Sequence, residues 1–144
     1  MEPLDLTKAP PRTPRTPLAD LDLIMAARTV DKMRATLPGG NLGAYNIPGF
    51  STQMLEAIGI SEDDLRAEVV RASSDADIAA WLRDRVNVET IDAFNTAIAA
   101  RRIEHRLTDE VWCKKYPHGA AMPPETPLID FLKKDDELAF LGAR

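Results

Sequence analysis

A chain of 144 residues with 44% hydrophobic and 28% charged side chains can bury a core, which excludes a wholly disordered protein. Its formal net charge of -5 and pI near 5.0 exclude a general nucleic-acid binder of the basic type and leave room only for a local basic patch. No apolar run approaches the roughly 20 residues of a membrane span, Met1 to Ala9 lacks the basic and apolar regions of a signal peptide, and a single cysteine, Cys113, fits a reducing compartment, so a cytoplasmic protein is expected.

Residues 1–15 read as a proline-rich extended leader, because proline lacks the amide donor and restricts its predecessor. Residues 16–144 read as a single helical domain. Thr16 is a natural N-cap with Pro17 at the first helical position, and a first helix is expected to run to about Leu37. Its apolar stripe is Leu23, Ala26, Ala27, Val30, Met33 and Leu37, and Pro38-Gly39-Gly40 ends it. A glycine-rich loop continues to Phe50. A short helix follows from about Ser51 to Ile58, with Gly59 in the left-handed stop position and Ile60 packing back on Leu55. Ser61 caps the next helix, to about Ala72, with Glu62, Asp63 and Asp64 in its first turn. Ser74 and Asp77 repeat that arrangement before Ile78, Trp81 and Leu82. Asn87 caps a helix to about His105 whose inner face is Val88, Ile91, Asn95, Ile98 and Arg102, with Phe94 alongside. Thr108 is expected to cap a short turn through Trp112, residues 113–127 to form a second proline-rich loop, and Leu128 to Phe140 to form the last helix. No strand-like alternation, hairpin turn or internal repeat is present, so the expected fold is all-α: a compact domain of about six helices with the leader packed across the first.

Arg28, Asp31, Lys32 and Ala35 recur at helical spacing and share one face. The plain reading of that face is a solvated surface with intrahelical ion pairs. The sharper one is a pocket wall where arginine and lysine hold an anion and Asp31 orients them or moves a proton, since a guanidinium fork binds two oxygens at once. Arg12 and Arg15 in the leader divide the same way, between a solvated tail and a second wall. Pro11 to Pro14 and Pro14 to Pro17 also have the spacing of peptide ligands for aromatic grooves. Gly39-Gly40-Asn41-Leu42-Gly43 lacks both the Lys-Ser/Thr of a P-loop and the preceding strand of a dinucleotide fingerprint, and reads first as a helix stop. Tyr45 and Asn46 in that loop offer a phenol and an amide. Asn95 on an apolar stripe must be hydrogen-bonded, either as a structural contact or as a pocket lining. Cys113, His118 and His105 have neither a diagnostic catalytic spacing nor a zinc pattern, and Lys114-Lys115-Tyr116 is too small a basic run to argue for nucleic acid.

The run Thr7-Lys8, Pro11-Arg12-Thr13-Pro14-Arg15, Ala27-Arg28, Asp31-Lys32, Arg34-Ala35, Leu37, Gly39, Gly43 and Tyr45 resembles a small bacterial domain family of unknown function. Leu55, Gly59-Ile60, Asp75, Trp81-Leu82 and Asn95 look like its continuation. Members of that family usually carry serine where Thr13 stands and often an acid where Ala44 stands. The resemblance covers residues 7 to about 100, and 101–144 read as a family-divergent extension. It implies a small helical cytoplasmic protein, brings no activity, and places the polar residues named above within a family pattern.

The expected function is a pocket for a small anionic molecule, formed by the leader, the first helix and the glycine loop. Arg12, Arg15, Arg28, Asn46 and Asn95 would bind the ligand. Asp31, Lys32 and Tyr45 would carry any proton transfer, of an isomerase, lyase or hydrolase type. No cofactor fingerprint and no metal pattern appears. The alternative is a non-enzymatic interaction module or self-associating protein, for which the tail's Leu128, Phe131, Leu132, Leu138, Phe140 and Leu141 supply apolar surface. Nucleic acid is the least favoured partner, and homo-oligomers are left open.

Overall fold

The computed structural model describes residues 1–141. Among them the protein is all-α, with isolated bridges but no strand. Its eight helices are α1 (Ala26–Ala35), α2 (Phe50–Ile58), α3 (Glu62–Arg71), α4 (Asp75–Arg83), α5 (Val88–Ala99), α6 (Glu110–Lys115), α7 (Pro117–Ala120) and α8 (Leu128–Leu141). About six were expected; α7 falls inside the stretch read as a loop. The chain divides into two compact units, Met1–Asn95 and Thr96–Arg144.

The first unit is built on Leu18, Leu23, Met25, Val30, Met33, Met54, Leu65, Val69, Ile78 and Leu82, each at most 1% exposed. Burial of that kind stabilises by about 1.5–3 kcal/mol per side chain. α1 begins ten residues after Thr16, so the expected cap at Thr16 is corrected. The Thr13 and Thr16 hydroxyls bond each other at 2.7 Å. Leu18 and Leu21 pair their backbones at 3.0 and 2.9 Å. Met25 then takes a left-handed conformation (φ 78°) at the helix start, and its N–H donates to Pro14 O at 2.8 Å. Buried leucines, rather than a capping hydroxyl, set this boundary.

Four of the local signals hold. The Ile60 N–H reaches Leu55 O at 3.1 Å across Gly59 (φ 72°), which closes α2. Ser61 Oγ accepts from Asp64 N at 3.0 Å and Ser74 Oγ from Asp77 N at 3.3 Å. Asn87 Oδ1 accepts from Thr90 N at 2.9 Å and opens α5.

In the second unit, α5 ends at Ala99 rather than near His105. Ile103 N–H donates to Thr126 O at 2.9 Å and Leu128 N–H to Arg101 O at 2.8 Å, which draws residues 101–103 out of the helix. Arg102 is therefore exposed rather than on an inner face. Asp109, not Thr108, caps α6, its Oδ1 accepting from Trp112 N at 3.1 Å. Trp112, Tyr116 and His118 gather on Phe131, with ring centroids 5.2 to 5.3 Å from it. Gly119 fills the remaining gap, since a Cβ there would stand 2.7 Å from the Trp112 ring and 2.8 Å from that of Phe131. Of the apolar tail residues, Leu128 and Phe131 are buried, Leu132 and Phe140 half-buried and Leu138 exposed. The side chain of Leu141 lies outside the described residues.

Candidate functional site

The polar face of α1 is buried. Arg28, Asp31 and Lys32 are 3%, 4% and 8% exposed, so the solvated-surface reading does not apply. Buried charges must be paired or hydrogen-bonded, and Asp31 meets this condition through Arg12. The Arg12 backbone N–H donates to Asp31 Oδ2 at 2.8 Å. Its Nε donates to both carboxylate oxygens at 3.2 and 3.1 Å, and its Nη2 to Oδ1 at 2.9 Å. The same guanidinium reaches Asp75, the first residue of α4, with Nη1 donating to Oδ2 at 2.7 Å and Nη2 to Oδ1 at 3.3 Å. Burial opposes the Arg12 charge, but the hydrogen bonds and charges of Asp75 and Asp31 outweigh it and hold the guanidinium protonated more firmly than in water. Arg34, one turn beyond Asp31, stands 4.0 Å from Asp31 Oδ1.

Arg28 is tied to the same knot. Its Nη1 donates to the Arg12 carbonyl at 3.3 Å, and its guanidinium lies 5.7 Å from the centroid of the Tyr45 ring. Tyr45 is half-buried, Arg15 and Asn46 are exposed. Thr29, the neighbour of Arg28, is fully buried and bonds Ser51 Oγ of α2 at 2.7 Å, which fixes the start of α2 beside this turn of α1.

The structure thus brings together Arg12, Arg28, Asp31 and Tyr45 by direct contact, with Lys32 one helical turn from Arg28. Asn46 makes no bond to the group. Asn95 is engaged elsewhere: Oδ1 accepts from Ile24 N at 2.9 Å and Nδ2 donates to Asp22 O at 2.8 Å. Its carboxamide holds the irregular segment before α1, the structural alternative of the two weighed for it. Gly40 likewise serves packing, since a Cβ would stand 2.6 Å from Ala35 O at the end of α1. Asp75 escaped the reading of this site because its place in a first helical turn already accounts for an acid there. Among the described residues no group of His, Cys, Asp and Glu could hold a metal ion, and no helix is long and apolar enough to cross a membrane.

A family model described as a domain of unknown function, DUF5069, matches residues 8–137. The match continues well past residue 100, into the stretch read as an extension. No curated protein matches the chain.

Proposed function

For a chain that belongs to the DUF5069 family, we propose a binding site for a small anionic molecule, centred on Arg28 and Lys32 and flanked by Tyr45, with exposed Arg15 at its rim. The observation that carries it is the burial of two cations one turn apart on α1, with the carboxylate between them held by Arg12. Arg12 and Arg34 stand beside the carboxylates of Asp31 and Asp75, and Arg28 and Lys32 lie on the same face of α1. A cation in such a partly desolvated place acts on an anion more strongly than it would in water. Arg28 contributes a planar fork and Lys32 a compact charge.

The geometry refines the roles. Arg12 is a strut that holds Asp31 and Asp75 and presents its carbonyl to Arg28, not a ligand donor. Asp31, with both oxygens accepting from Arg12, orients rather than abstracts a proton. If the bound anion reacts, Lys32 and Tyr45 are the proton carriers, in a cofactor-independent step of isomerase, lyase or hydrolase type. The reading is of a cytoplasmic protein. The test is equilibrium binding of inorganic phosphate and succinate to the full chain. Arg28→Met and Lys32→Met should each lose about tenfold or more in affinity while the circular dichroism spectrum stays that of the wild type. Unchanged affinity in both folded variants would refute the site.

A further inference from the structure

A second feature in the first unit shares no residue with the anion site. A cleft of about 430 Å³ opens along α3 and α4, lined by Asp64, Ala67, Glu68, Arg71, Trp81 and Arg85. Its volume is in the range of small-molecule sites. Among the described residues each arginine is anchored by one partner. Arg71 gives Nη2 to the carboxylate of Glu68, which is itself 6% exposed, while the Arg71 side chain is 72% exposed. The Arg85 guanidinium lies 4.3 Å from the centroid of Trp81, and its Nη1 donates to Trp81 O at 3.1 Å. Asp64 uses its backbone N–H on the Ser61 cap and keeps its carboxylate exposed. Asp64 and Arg85 share the cleft without forming an ion pair.

Two acids and two arginines cancel in net charge, so a simple ion gains nothing from the cleft's overall field. A ligand carrying separated charges of both signs gains from each. Small Ala67 and the indole of Trp81 add an apolar floor. We propose that this cleft binds a free amino acid with an apolar side chain. Its carboxylate faces Arg85 and the solvent side of Arg71, its ammonium faces Asp64, and its side chain lies over Ala67 and the Trp81 edge.

The chain has two tryptophans, so Trp112→Phe leaves Trp81 as the sole indole reporter, and calorimetry on the wild-type chain needs no substitution. L-leucine should produce saturable heat and a saturable change in Trp81 emission. N-acetyl-leucine lacks the cationic end and leucinamide the anionic end, and each should bind at least about tenfold more weakly. Asp64→Asn should no longer distinguish leucine from N-acetyl-leucine, and Arg85→Met should no longer distinguish leucine from leucinamide. A general loss of structure would not remove one discrimination and keep the other. Absence of saturable heat with leucine, methionine and phenylalanine at millimolar concentration overturns the proposal. So does binding that both variants leave unchanged.

Discussion

Arg12 donates to two carboxylates that lie 44 positions apart in the chain, Asp31 on α1 and Asp75 at the start of α4. Removing it takes every side-chain hydrogen bond of Arg12 from Asp31, whose side chain is 6% exposed, and leaves Arg34 at 4.0 Å, while the Arg12 side chain is 30% exposed. Partial exposure keeps the effect below the loss typical of a fully buried pair. Arg12→Met is expected to lower the unfolding free energy by about 2–3 kcal/mol, as read by urea denaturation. Adding Asp31→Asn should restore part of that loss, because the weakly paired charge goes; full additivity of the two losses would show that the residues do not act as a pair. Asn95→Ala leaves the Ile24 N–H and Asp22 carbonyl without their partner and should cost about 1–3 kcal/mol. A change well under that would mean water replaces the amide. The periodicity of Arg28, Asp31 and Lys32 made their shared face legible from sequence. Which carboxylate Arg12 chooses was not, because that depends on where α4 lies.

Helix boundaries separate into local and imposed ones. Ser61, Ser74 and Asn87 cap as their residue type and spacing require, since a side-chain oxygen three residues before an orphan N–H needs no tertiary help. Ser61→Ala should cost about 1 kcal/mol in thermal or chemical denaturation, and a neutral result would show that water serves the first turn of α3 equally well. The start of α1 is imposed. Thr16 and Pro17 carry every local mark of a helix start, yet burial of Leu18, Leu21, Leu23, Ile24 and Met25 forces a turn and a left-handed Met25 before the helix begins. At α6 the cap is Asp109, one residue after the Thr108 expected from sequence, and Asp is the stronger capping type of the two. α7 escaped notice because a four-residue helix is shorter than any periodicity can reveal. Its Gly119 is a sharp test of the aromatic cluster. Gly119→Ala should destabilise by about 1–3 kcal/mol, because the Trp112 and Phe131 rings leave no room for a methyl group. An unchanged melting temperature would mean that the rings shift freely.

At the scale of the molecule, an acidic chain gathers buried positive charge on one helix. Two cations at 3% and 8% exposure on α1 carry a desolvation cost that apolar residues of similar volume would not. That burial is the observation on which the proposed anion site rests. The all-α class was legible from sequence, as was the face of α1 that matters. The burial of that face was not, because charge patterning alone does not distinguish a solvated face from one covered by the segment before it. The most direct measurement is a thermal-shift screen of the full chain against small carboxylates and phosphates, run beside Arg28→Met. A ligand at about a hundredfold its dissociation constant adds about 2.7 kcal/mol, a shift of several degrees for a chain of this size. The account predicts such a shift in the wild type and its loss in the folded variant. A shift of equal size in Arg28→Met would contradict it, as would a broad panel of anions that leaves the wild-type melting temperature where it was.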